Sequence, residues 1–217
     1  MFIFCVAVFS TLLAMKMFHE QSPKPIVIDP TIQKSADLSN KHTVDTAVSM
    51  LRSGYLVLRM GLGADSRILA QMNQKNKSYS HCGIVMIEHG YPFVYHSIGG
   101  EDNPEERLRR DSANFFFSPK HNTALAIVQY DLSNKELDEL GKVVRTYYQQ
   151  RPKFDMKFDL KTDDKLYCAE FVYKAVNKAV KDTSYITTTS VAGYRFVGID
   201  DLFVNRHAHM VWQSVFK

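Results

Sequence analysis

Cys168 heads an apolar stripe, Ala169, Val172, Val176 and Ala179, whose spacing predicts a helix. A cysteine reacts as its thiolate, and the positive end of a helix dipole favours that form. Asp163 or Asp164 is expected to cap this helix, and the N–H groups of its first turn would then suit an oxyanion hole. The plain alternative is that Cys168 is a small apolar side chain on a buried face. A nucleophilic thiol also needs a base, and two histidines offer one. Residues 82–87 and 91–98 read as strands joined by His89-Gly90, a tight hairpin. With those two as loop residues, Glu88 pairs with Tyr91, and counting back sets Gly83 opposite His96 and His81 opposite Ile98. His81 and His96 then share one face as diagonal neighbours, a base and its orienter. Cys82 takes the other face, which removes it as nucleophile and argues against a Cys82–Cys168 disulfide. A loop one residue longer would invert the parity and both inferences.

The elements that must position these residues follow from periodicity. Val44, Ala47, Val48 and Leu51 predict a short helix stopped at Gly54, residues 55–59 a strand, and Ile68, Leu69 and Met72 another helical turn or two after Gly61 and Gly63. A strand over 124–130 runs into Ser133-Asn134-Lys135-Glu136, a capping-box pattern opening a helix to about residue 150, with Pro152 closing it. Residues 211–216 are expected to form a last strand. Hairpin adjacency and long helices in this order predict an α+β domain, an antiparallel sheet packed against helices.

The chain has 217 residues, 45% of them hydrophobic, which is enough for one domain and a leader. A net charge of +4 without any dense Lys/Arg block gives no nucleic-acid footprint, leaving a mild attraction to anionic cell-wall polymer or a membrane surface. Three cysteines, one in the leader, cannot make a disulfide framework, and no zinc-ribbon spacing is present. Residues 1–15 are almost wholly apolar but too short for a comfortable span; residues 1–20 read as a signal peptide or membrane anchor, although the segment lacks an N-terminal Lys or Arg and a clean cleavage motif. A buried N-terminal element is the alternative. Residues 21–42 read as a linker and 43–217 as the domain, so an exported, periplasmic or membrane-anchored protein is expected.

Tyr79-Ser80-His81-Cys82-Gly83-Ile84-Val85, Phe93-Val94-Tyr95-His96-Ser97, Phe154-Asp155 and Tyr167-Cys168-Ala169-Glu170-Phe171-Val172 together resemble the permuted papain-like amidases of the YiiX/YaeF type, in the NlpC-like cysteine peptidase superfamily. The likeness runs in order from about residue 54 to 180. It implies a circularly permuted papain-like fold, Cys168 as nucleophile, His81 as base and His96 in third place, with no cofactor. His96 stands where YiiX-type proteins usually have glutamate. That departure is similar to the lecithin:retinol acyltransferase-like branch, which moves or hydrolyses lipid acyl groups. Asp155 and Glu170 also match family positions, but a turn and a helix start explain them without catalysis.

The expected function is therefore hydrolysis of amide bonds in peptidoglycan stem peptides through Cys168, His81 and His96. The alternatives are lipid acyl-ester hydrolysis or transfer by the same residues, favoured by His96 and by the aromatic run Phe115-Phe116-Phe117, and a catalytically silent binding module. A core strand explains that aromatic run equally well. A zinc site from His81, His96 and Cys168 is chemically reasonable too. His207 and His209 read as an exposed pair. Bond specificity and oligomeric state have no signature in the sequence.

Overall fold

The computed structural model describes residues 30–100, 105 and 107–217, so the leader, residues 1–20, lies outside the described residues. The first described element, α1 (Pro30–Met50), begins inside the stretch expected to be linker. Residues 30–42 carry no apolar stripe, which hid the helix, while Pro30 suits a first turn because its missing N–H would lack a helical partner there anyway. Residues 21–29 of that linker lie outside the described residues. The compact unit bearing the site is Asp37–Lys217.

Within that unit the order continues β1 (Leu56–Gly61), α2 (Ala64–Gln71), β2 (His81–Glu88), β3 (Tyr91–His96), β4 (Arg109–Ser112), α3 (Ala113–Phe116), β5 (Asn122–Tyr130) and α4 (Asn134–Gln150). Then come α5 (Cys168–Val180), β6 (Thr189–Val191), β7 (Tyr194–Phe196), α6 (Ile199–Phe203) and β8 (Ala208–Val215). Six strands form one antiparallel sheet in the order β4-β3-β2-β1-β5-β8, and β6 and β7 pair separately. The α+β architecture is thus as expected, an antiparallel sheet with helices packed on it.

Strand alternation divides the sheet into two faces. Leu56, Leu58, Cys82, Ile84, Ala126 and Val128 meet Leu140, Val143 and Val144 of α4 and Phe171, Val172, Ala175 and Val176 of α5. Val57, Val85, Val94, Leu125 and Ile127 meet Val44 and Ala47 of α1 and Phe116 of α3 on the other face. Each large apolar side chain buried this way contributes about 1.5–3 kcal/mol. The hairpin has the register counted from the sequence, with Glu88 opposite Tyr91 and Ile84 opposite Tyr95. His89 and Gly90 have φ of 51° and 83°, the two positive values that a type I′ turn demands.

The capping box of α4 is present: Ser133 N–H donates to Glu136 Oε2 at 2.8 Å, and Glu136 N–H to Ser133 Oγ at 3.4 Å. The aromatic run is neither a core strand nor wholly buried. Ala113–Phe116 form a helical turn, capped by Ser112, that buries Phe116 and leaves Phe115 exposed. Asn40 of α1 grips the last residue, donating to Lys217 C=O at 3.1 Å and accepting from its N–H at 3.0 Å.

Candidate active site

The hairpin register delivers His81, at the first position of β2, and His96, at the last of β3, to the same face. Their rings meet edge to face at 5.0 Å, with His81 Nε2 2.8 Å from His96 Nδ1. Gly83 makes this approach possible. A Cβ there would lie 2.5 Å from Val94 Cγ1, 2.8 Å from the Tyr95 carbonyl and 3.0 Å from His96 Cβ. Phe116 packs beneath both imidazoles, at 5.7 Å from His81 and 5.2 Å from His96.

A residue absent from the sequence expectations completes this line. Asp111 on β4 accepts from His96 Nε2 at 3.0 Å, and Arg109 holds its other oxygen at 2.9 Å. Burial pulls the Asp111 carboxyl up, but the His96 hydrogen bond and the Arg109 cation outweigh it and hold the pKa below the ordinary value. Burial also lowers both histidines, His81 well below its usual range, and the Arg59 and Arg109 charges add to the effect.

These partners fix the protons of the neutral imidazoles. Ionised Asp111 can only accept, so His96 carries its proton on Nε2 and accepts at Nδ1. His81 must then donate from Nε2, which puts the lone pair of its ring on Nδ1. That tautomer is the form a general base needs.

Cys168 is the first residue of α5, 8% exposed, but neither Asp163 nor Asp164 caps that helix. Tyr167 occupies the cap position, and the third helical residue, Glu170, accepts its N–H at 3.3 Å. Asp163 is drawn off to Lys174 at 2.5 Å. Two further bonds fix where the helix begins: Ser97 Oγ donates to Leu166 C=O at 2.5 Å, and Val197 N–H donates to Tyr167 Oη at 2.7 Å.

The strand parity inferred for Cys82 is correct, and no disulfide joins it to Cys168, but the parity does not keep the two thiols apart. Helix α5 packs on the face that Cys82 occupies, opposite the imidazoles, so the two thiols meet. Both are free thiols. The nearby Cys82 thiol, with the backbone N–H groups of Cys82 and Ala169 and the Arg59 charge, holds the Cys168 pKa below its ordinary value against burial. Burial and the Cys168 contact push Cys82 well up. The structure therefore joins Asp111, His96 and His81 in one hydrogen-bonded line and sets Cys168 beside Cys82 in the opposite core. The two meet at consecutive residues of β2.

Of the other singled-out residues, Asp155 accepts from the N–H groups of Lys157 at 2.9 Å and Asp159 at 3.0 Å, which makes it a turn former. His209 pairs with Asp131 at 2.9 Å on the surface, and His207 stacks on Tyr185 at 4.1 Å.

No family model matches the chain, and no curated protein does. Among solved structures it is similar to YiiX from Escherichia coli O157:H7, described as a metalloprotein, at 15% identity and a TM-score of 0.61 over 76% of this chain and 98% of that one. The chain has the YiiX-type fold. At that identity the likeness speaks for the fold alone, and the chemistry must be argued from the side chains.

Proposed function

We propose that the chain is a cysteine hydrolase with Cys168 as nucleophile, His81 Nδ1 as base, His96 as its orienter and Asp111 as the positioning residue behind both. The observation that carries this reading is the proton order of the Asp111–His96–His81 line, which ends on a lone pair at the residue before Cys82, the residue against which Cys168 packs. In the proposed reaction the Cys168 proton crosses from the α5 side of the sheet to His81 Nδ1 around the start of β2, where His81 is the first residue, as sulfur bonds to the substrate carbonyl carbon. The N–H groups opening α5 stabilise the tetrahedral oxyanion. His81 then returns the proton to the departing amine, leaving a thioester. Water, activated by His81, cleaves the thioester, releasing a carboxylic acid and the thiol.

The neighbour's description raises a metal reading, and the histidines do not fit it. Two imidazole nitrogens sharing a tetrahedral zinc at its usual bond lengths lie about 3.3 Å apart, each aimed at the metal. His81 Nε2 and His96 Nδ1 instead lie 2.8 Å apart as hydrogen-bond partners, and the second nitrogen of His96 is held by Asp111. No group of three or more candidate metal ligands occurs among the described residues.

Amide bonds of peptidoglycan stem peptides are the proposed substrate, supported by the apolar leader and the likeness of the motifs to the amidase branch. Lipid acyl esters are the second reading, favoured by Phe115, which stands 52% exposed on α3 beside the buried Phe116. The test is mass spectrometry of products after incubating wild type and Cys168→Ala with purified peptidoglycan and with phospholipid vesicles. Cysteine-dependent stem-peptide fragments are expected. Cysteine-dependent fatty acid or lysolipid would transfer the protein to the lipid reading, and activity retained in Cys168→Ala would end the mechanism.

A further inference from the structure

No step of the proposed hydrolysis uses the Cys82 sulfur, yet the fold brings it to the nucleophile. The β2–β3 register pairs Ile84 with Tyr95; carried two residues further, it sets Cys82 opposite Ser97, on the same face of the sheet. Ser97 Oγ reaches from that face to the Leu166 carbonyl at 2.5 Å, two residues before Cys168. The first residue of α5 is thereby moored beside Cys82, and both side chains belong to the core between the sheet and α5. Both are free thiols. They differ in access, Cys168 being 8% exposed and Cys82 not at all. They differ in acidity as well. The neighbouring Cys82 thiol and the N–H groups of Cys82 and Ala169 hold Cys168 below its ordinary pKa against burial, whereas burial pushes Cys82 well up.

We infer that Cys168 and Cys82 form a peroxide-sensitive pair, in which a hydroperoxide oxidises Cys168 and Cys82 closes a disulfide on it. In the first step the Cys168 thiolate attacks a peroxide oxygen and the O–O bond breaks. Sulfur becomes a sulfenic acid, and the departing alkoxide or hydroxide takes up the proton that Cys168 released. In the second step the Cys82 sulfur attacks the sulfenic sulfur, the S–OH bond breaks, and the hydroxide leaves as water with the Cys82 proton. The peroxide gains two electrons and the two thiols lose the same two. Access fixes the order, because an oxidant arriving from solvent meets Cys168 first. A thiolate without such a partner goes on to the irreversible sulfinic acid; a thiol already packed beside it stops the ladder at a bridge that a reductant reopens. The bridge itself does not depend on the hydrolase reading, but its consequence, a silenced nucleophile, rests on that reading.

The test is peptide mapping by mass spectrometry under non-reducing conditions, on the full folded chain exposed to hydrogen peroxide and then quenched into denaturant with iodoacetamide. A Cys82–Cys168 bridge that dithiothreitol removes is expected, told apart by its peptides from any bridge to Cys5. In Cys82→Ala the same treatment is expected to carry Cys168 on to a sulfinic acid that dithiothreitol leaves in place. The wild-type map needs no variant, so the proposal stays falsifiable if Cys82→Ala does not fold. Wild-type Cys168 recovered as sulfinic acid or bridged to Cys5, or both thiols unmodified at peroxide concentrations that oxidise the exposed Met156, overturns the pair. Hydrolysis assayed on the same samples keeps the two readings separate: a bridged protein that still cleaved substrate would end the role of Cys168 as nucleophile and leave the bridge standing.

Discussion

In the proposed site Asp111 governs the two histidines, because its negative charge sets the proton on His96 and thereby the lone pair on His81. Asp111→Asn lets either ring nitrogen of His96 face the amide, so the tautomer is no longer imposed. The expected result is a fall in kcat smaller than the about 10²- to 10⁴-fold loss from His81→Ala, with KM nearly unchanged. A rise in KM alone would make Asp111 a substrate contact instead. Glu170 allows a separate test through stability. Burial dominates over its Lys174 partner and raises its pKa to about 7, so the folded chain keeps a proton that the unfolded chain loses near the ordinary value of 4.5. Its stabilisation is present below that ordinary value and lost as pH rises through about 7, by roughly 2–4 kcal/mol. Thermal unfolding from about pH 5 to pH 8 should show this loss in wild type and not in Glu170→Gln; parallel curves would mean that Glu170 ionises normally. That His81 and His96 meet on one face was legible in the sequence through the hairpin arithmetic, and residue type alone singled out Cys168 as a candidate. Asp111 was not, since Arg109-Arg110-Asp111-Ser112 has no apolar alternation to mark a strand and follows a connection of unspecified path. Nor does β2 alone tell which of its faces receives α5, and for that reason the approach of Cys82 to Cys168 was missed.

At the scale of elements, the β2–β3 hairpin sets the distance between the imidazoles, and its tolerance is concentrated at Gly83. The three contacts that a Cβ would make there, all at 3.0 Å or less, involve both the backbone and the base of His96. Gly83→Ala must displace β3, with an expected cost of about 1–3 kcal/mol and a larger proportional loss of activity as the His81–His96 bond lengthens. Urea unfolding followed beside activity would separate the two, and full activity in the variant would show that the imidazole contact is dispensable. The hairpin was legible because His89-Gly90 supplies positive φ at both central positions, a local signal. The capping box of α4 was local too, with both of its bonds between neighbours. The start of α5 was assigned to the correct residue for the wrong reason: Glu170, three residues into the helix, ties the Tyr167 N–H, where an aspartate cap was expected. Strands β6 and β7, three residues each, are too short to show a period.

Across the molecule, the sheet order puts β1 between β2 and β5 and adds β8 beyond, pairings between distant segments that hairpin patterns do not encode. The antiparallel α+β class was readable; the order was not. A long-range clamp holds the approach to β2. Asp200 of α6 accepts from the N–H groups of Gln74 at 2.8 Å, Lys75 at 2.5 Å and Asn76 at 3.3 Å, while Asn73 bonds Ile199 N–H and the Tyr79 carbonyl, both at 2.9 Å. Asp200→Ala leaves these part-buried donors without their acceptor and should cost about 1–3 kcal/mol. A melting temperature equal to wild type would show that water replaces the carboxylate. The imidazole line and the packed cysteine pair are joined by the peptide unit between His81 and Cys82, whose α-carbons covalent geometry holds about 3.8 Å apart. The same hairpin also holds the start of α5, because Ser97, the residue after His96, donates to the Leu166 carbonyl two residues before Cys168. Cysteine and imidazoles thus hang on one hairpin, and a change that shifts β3 should disturb the histidine contact and the placement of Cys168 together.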